Sequence, residues 1–175
     1  YIYEIRFYTK FLEAQPLIQS QNIVQADVIV QQLKRVIEKT DIPQAEEWLS
    51  LLKIGNLSVQ DDVSSLQEMQ QDLDAKAFTT PNSCLQNFVQ HRISKSLKDN
   101  QRNAQLLRRI IEQNCSSNEE LLQTIARIEL IKVLERSQGK SSEIETLITD
   151  IDKIWSNPES SGPILEEYYS IKSKY

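Results

Sequence analysis

The sequence predicts an all-α protein, a bundle of about six to eight short helices with short connections, forming one body or two packed sub-bundles. Three observations predict it. First, the chain has only 3 Gly and 5 Pro in 175 residues, and these two types are the main helix breakers. Second, apolar residues recur at i, i+3, i+4 and i+7, the spacing that lines one face of a helix. Third, the stripes are separated by Asn, Asp, Ser or Thr near each expected start, where such side chains can cap free backbone N–H groups.

The elements follow in order. Residues 2–13 (IYEIRFYTKFLE) place Ile5, Tyr8 and Leu12 on one helical face, the same stretch is aromatic enough for a strand, and Pro16 interrupts it. Residues 22–39 carry the stripe Ala26, Ile29, Val30, Leu33, Val36 and Ile37. A third helix is capped by Thr40 or Asp41, admits Pro43 in its first turn and closes on Gly55 in a left-handed conformation. A fourth starts at Ser58, with Asp61 completing a capping box ahead of Val59, Val63, Leu66, Met69 and Leu73.

The stretch FTTPNSC, 78–84, reads as a boundary between sub-bundles. A helix with Leu85, Phe88, Val89, Ile93 and Leu97 inward follows it. Asn100 caps the next, which carries Ala104, Leu107, Ile110 and Ile111. Ser117 and Glu120 form a capping box for 118–136, and SSEIETLITDIDKIWSN, 141–157, is the last strong stripe. The expected organisation is N-terminal helices in 1–40, a helical interaction domain in 41–157 and an acidic, Tyr-containing tail in 158–175.

The formal charge of −5 is uneven. Residues 1–81 hold 7 basic and 12 acidic side chains, 82–140 hold 10 and 6, and 141–175 hold 3 and 7. The middle block is therefore the place to look for contact with an acidic partner. Nucleic acid is not expected, since the whole chain has pI ≈ 5.0. No run of apolar residues approaches a membrane span. The chain opens on YIYEIRFY without a signal peptide and is expected to start inside a longer protein.

Catalysis is not expected. His91 is the single His, beside Arg92 on what reads as a polar helix face, so it is assigned to the surface. Cys84 and Cys115 lack metal-ligand spacing and a neighbouring base, so free thiols in a reducing compartment are expected. Three scattered Gly cannot build a phosphate-cradling loop. Asp61 with Asp62, and Asp72 with Asp74, read as helix solvation rather than as a cation site, which wants ligands converging from a turn. Neither a cofactor nor a metal is assigned.

The last stripe has a feature that periodicity does not explain. Ile144, Leu147, Ile148 and Ile151 are followed at i+11 by Trp155, just before the helix stops. This resembles the final helix of the N-terminal (LW) domain of elongation factor TFIIS, a module found also, in diverged form, as the integrase-binding domain of LEDGF. SNEELLQTIARIELIKVLERS resembles the preceding helix of that family, with Glu129 where the family often has Gly. LKIGNLSV, Leu52–Val59, is similar to the loop with which the LEDGF domain grips partners, with Gly55 in place of an Asp.

The resemblance implies a nuclear, non-catalytic protein-interaction module of transcription or chromatin. It would bind a short disordered segment with apolar and acidic residues. Ile54, Asn56 and Leu57 would make the contact, assisted by Arg92, Arg108 and Arg109 from the basic block. Trp48, Leu121, Leu134, Ile144, Leu147, Ile151 and Trp155 would form the core. The alternative is a helical scaffold or solenoid segment of a large assembly, such as a vesicle tether or nucleoporin, resident in the cytoplasm.

Overall fold

The computed structural model describes residues 2–40, 42, 44–77, 83–113, 115, 120–138, 141–154 and 163–175. The protein is all-α, with nine helices among the described residues. They are α1 (Ile2–Gln19), α2 (Ile23–Ile37), α3 (Ala45–Val59), α4 (Val63–Ala77), α5 (Cys84–Ser96), α6 (Asn100–Glu112), α7 (Glu120–Gln138), α8 (Ser142–Ile154) and α9 (Pro163–Lys172). They divide into two compact units, Tyr1–Asp99 and Asn100–Tyr175.

In the first unit α1, α2 and α3 pack on one another. Helix α1 buries Phe7, Phe11, Ala14 and Ile18, not the predicted face. Ile5, Tyr8 and Leu12 are exposed instead. Both faces of α1 are apolar, and the bulkier Phe pair fills the core with Val30, Leu33, Leu49 and Leu52. Trp48 joins this core at its edge, its ring perpendicular to that of Phe11 at 5.4 Å. Pro16 does not end α1, which continues to Gln19. The carbonyl that Pro16 leaves without a donor is that of Leu12, and both residues lie on the exposed side, where water can serve it.

Helix α3 runs straight through Gly55 to Val59, so the predicted left-handed stop is absent. A Cβ on Gly55 would sit 3.3 Å from Ile18 Cγ2; the glycine serves close approach of α1, not a turn. The fourth helix accordingly starts at Val63 rather than Ser58. Asp62 caps it, accepting from Ser65 N at 3.1 Å and Ser65 Oγ at 2.7 Å. These bonds hold the Asp62 carboxyl below its ordinary range. Thr40 does not cap α3, which is preceded by Gln44. Asp41, Pro43, the Ser117 box and most of 78–84 lie outside the described residues.

Three helix ends share one closure. Asn22 N, Asp62 N and Asp99 N donate to the carbonyls of Leu17, Leu57 and Ser94, five residues back. Gln21, Asp61 and Lys98, the residues just before those donors, have φ of 60°, 57° and 59°. This is the Schellman arrangement, built without its usual glycine.

Helix α5 is buried along most of its circumference. Leu85, Phe88, Val89 and Ile93 are inward as predicted, but Asn87, Gln90, His91 and Ser94 are buried too. The assignment of His91 to the surface is therefore wrong: it is 0% exposed, its ring 5.3 Å from that of Phe88. Ser83 begins this helix with a full capping box to Gln86. The free-thiol expectation is also overturned, because Cys84 and Cys115 are both disulfide-bonded. Spacing in sequence does not show whether a thiol finds a bonding partner in the fold.

In the second unit α7 packs on α6 and α8. Ile144, Leu147, Ile151 and Leu134 are buried as predicted. Leu121 is not; it is 55% exposed, and Leu122 takes the inward position. Helix α7 is apolar on several sides, so a one-residue difference in register was not fixed by its pattern. Trp155 lies outside the described residues. The expected tail contains α9, whose Tyr168 and Ile171 are buried.

Candidate functional site

The residues predicted to grip a partner fall inside α3, not in a loop. Ile54 is 1% exposed and packs with Leu66, Val89 and Ile93. Asn56 is buried, and its Nδ2 donates to Asp27 Oδ1 at 2.6 Å. Leu57 is half-buried against the Ile54 cluster. Ile54 and Asn56 are thus core residues rather than exposed anchors. The physical cause is Gly55, which reads as a helix stop but functions as a contact point within the helix.

The predicted basic residues separate by role. Arg92 is exposed on α5 of the first unit. Arg108 is engaged: Nε and Nη2 donate to the two carboxylate oxygens of Glu143 at 2.8 and 3.0 Å. These bonds raise the Arg108 pKa and lower that of Glu143. Arg108 thus ties α6 to α8. Arg109, next to it, is exposed. Arg127 sits on α7 with its pKa lowered by burial, against the attraction of Asp150.

A different basic site is present in the first unit. Helices α1 and α2 form an antiparallel hairpin through the closure at Gln21. Between them lies a half-open cleft of ≈ 610 Å³ lined by Tyr3, Arg6, Lys10, Gln32, Arg35, Val36 and Lys39. The helical period explains the convergence. Arg6 and Lys10 are one turn apart on α1, and Arg35 and Lys39 are one turn apart where α2 ends. The start of α1 and the end of α2 meet because the hairpin is antiparallel.

Among the described residues no carboxylate lines the cleft. Lys10 Nζ pairs with Glu13 Oε2 at 2.6 Å, while Arg6, Arg35 and Lys39 make no ion pair among the described residues. The concentration stands out against its surroundings. Residues 1–99 hold 10 basic and 13 acidic side chains, a formal −3, yet 4 of the 10 cations line this one cleft. Val24 and Val28, both exposed, continue the ridge of Arg35 and Lys39 along α2 at helical spacing. The counts by block missed these residues, because 1–81 is acidic in sum. The usable signal was the i, i+4 pairing of cations on two consecutive helices.

Among the described residues no cluster of His, Cys, Asp and Glu has the geometry to hold a metal ion, and no helix is long and apolar enough to cross a membrane. The chain matches no family model, no curated protein and no solved structure.

Proposed function

We propose that this chain is a non-catalytic protein–protein interaction module that docks a short disordered partner segment on the α1–α2 hairpin. Acidic residues of the segment enter the cleft of Arg6, Lys10, Arg35 and Lys39, and apolar ones lie on Val24 and Val28. The observation that supports this reading is a four-cation cleft, lined by no carboxylate among the described residues, in a net acidic unit. Complementary charge steers encounter and sets specificity, and a segment that orders on binding associates with modest affinity. The docking surface is thus the hairpin and not the end of α3.

The test is a titration of short acidic–apolar peptides against the parent, an Arg6→Glu/Arg35→Glu variant and an Arg92→Glu control. The hairpin variant should lose binding, and the control should keep it. Raising salt toward a Debye length of ~8 Å should slow association to the parent. Equal binding by all three proteins would remove the hairpin as the site.

The transcription and chromatin setting implied by the TFIIS resemblance requires a reducing nuclear compartment. Two disulfide-bonded cysteines weigh against it, since disulfides persist where the environment is oxidising. Thiol titration of the denatured, unreduced protein is expected to find no free thiol. Finding both thiols free would restore the nuclear setting.

A second reading, a scaffold segment of a larger assembly, is favoured by Ile5, Tyr8 and Leu12, which form an exposed apolar stripe on α1. Stacked helical arrays bury such faces against neighbouring elements. If Leu12→Glu, and not Arg6→Glu, abolishes association with the partner, the scaffold reading replaces the first.

A further inference from the structure

We infer that the cleft between α1 and α2 recognises a phosphorylated side chain, so that the partner segment docks in its phosphorylated form. The inference rests on the reading of the hairpin as a docking surface and goes further by naming the acidic group. Three uncommitted cations, Arg6, Arg35 and Lys39, face one space. A single carboxylate carries one charge and two oxygens, and it would leave most of that charge uncompensated. A phosphoserine or phosphothreonine carries about −1.5 to −2 near pH 7 and three terminal acceptor oxygens.

The lining chemistry matches this demand. Two of the cations are guanidiniums, planar forks that suit bidentate contact with phosphate oxygens. They come from opposite walls, Arg6 from α1 and Arg35 from α2, so one phosphoryl group can bridge the two helices. Tyr3 and Gln32 add an O–H and an amide N–H donor, and among the described residues no acidic side chain lines the space to repel an anion. At ≈ 610 Å³ the cleft has room for the phosphoryl group together with the residue that bears it. Lys10, already paired with Glu13, keeps one side of the cleft neutral and leaves the surplus on Arg6, Arg35 and Lys39.

The experiment uses the whole chain and synthetic acidic–apolar peptides, each made in three forms that differ at one position: serine, glutamate and phosphoserine. Fluorescence anisotropy should show the phosphoserine form binding at least tenfold tighter than the glutamate form, and the serine form weakest. Inorganic pyrophosphate should displace it. Arg6→Gln/Arg35→Gln should abolish the phosphoserine preference, Arg6→Lys/Arg35→Lys should retain part of it, and Arg92→Gln should leave it intact. Circular dichroism checks that each variant is folded.

Equal affinity of the glutamate and phosphoserine forms overturns the phosphate inference and leaves the docking surface standing. An Arg92→Gln loss as large as the hairpin loss overturns it as non-specific attraction. If no form of any peptide binds, the docking-surface reading fails and carries the inference with it. Sedimentation with vesicles bearing polyphosphoinositides, in the absence of any phosphopeptide binding, would assign the cleft to a lipid surface and overturn the proposal.

Discussion

The two units use their charged side chains in opposite ways. In Asn100–Tyr175 several cations reach across helices to carboxylates. Arg108 joins α6 to α8, Lys132 on α7 pairs with Glu167 on α9, and Lys172 on α9 holds both oxygens of Asp152 on α8 at 2.7 Å. Lys174 Nζ lies 3.6 Å from Glu135 and so adds a further link between α9 and α7. In the α1–α2 hairpin of Tyr1–Asp99, by contrast, Arg6, Arg35 and Lys39 line a cleft that no carboxylate lines among the described residues. Formal charge does not distinguish these cases; placement on the helices does. Where cations are matched across an interface they hold helices together, and where they converge unmatched they are available to a ligand.

This contrast presupposes that the end of α3 is core, and the largest expected effect tests that. Ile54→Asp places a carboxylate in a fully buried site among Leu66, Val89 and Ile93. It should destabilise the protein by about 4 kcal/mol or more, read as a loss of cooperative folding in urea. A variant that melts with the parent would return Ile54 to the surface and the contrast would collapse.

Next in size is the seam between α8 and α9. The buried Tyr168 hydroxyl lies 2.7 Å from Asp152 Oδ1, to which it donates, and 3.1 Å from the Ile148 carbonyl. Burial, and then the bond to Asp152, raise the phenol well above its ordinary pKa. Tyr168→Phe should cost about 1 to 2 kcal/mol in denaturant unfolding. An unchanged midpoint would mean that α9 is held by packing alone.

A smaller effect belongs to Arg108 and Glu143, whose side chains are 38% and 39% exposed. Solvent screening limits their coupling to about 0.5 kcal/mol in a double-mutant cycle. The folded Glu143 and Asp152 carboxyls both lie below their ordinary values of 4.5 and 3.8. A lowered folded pKa means that the unfolded state takes up protons first. The stabilisation is therefore complete above those values and is lost as pH falls through and below them. Acid titration of Glu143→Gln should show a shallower fall in stability than the parent, and an identical profile would count against the pair.

The smallest expected effect sharpens the contrast most. Arg6→Gln and Arg35→Gln should change stability by no more than about 0.5 kcal/mol, since neither residue has an ion pair or side-chain hydrogen bond among the described residues. If either costs as much as Tyr168→Phe, the hairpin cations are structural and no different in kind from those of the second unit.

Where one face of a helix was apolar and the other polar, the sequence could be read directly. Ala26, Val30 and Leu33 in α2, and Ile144, Leu147, Ile148 and Ile151 in α8, are buried as their spacing predicts. Reading failed where both faces were apolar. In α1 the choice between Ile5–Tyr8–Leu12 and Phe7–Phe11 depends on how well each set fills the space against α2 and α3, which periodicity does not contain. It failed again in α5, where Asn87, Gln90 and His91 look like a solvent face yet are enclosed. The end of α3 was misread because glycine serves both turns and close contacts, and only the position of Ile18 decides between them. The cleft depends on two helices folding back on each other, so its four cations, some thirty residues apart in pairs, could not be seen as one site by summing charge along the chain.

The three helix ends at Gln21, Asp61 and Lys98 have a further consequence for how improvable this protein is. Each puts a side-chain-bearing residue into a backbone conformation that costs roughly 1–2 kcal/mol for most residues other than glycine, and less for Asp61. None of the three lines the cleft, so replacing them leaves the proposed docking surface unchanged. Glycine at each would relieve the strain while loosening the unfolded chain, leaving a net gain of about 0.5 kcal/mol per site. The backbone thus supports a more stable sequence than the one it carries. That reserve lies outside the cleft, so a hardened version of the protein is reachable without altering the proposed docking surface.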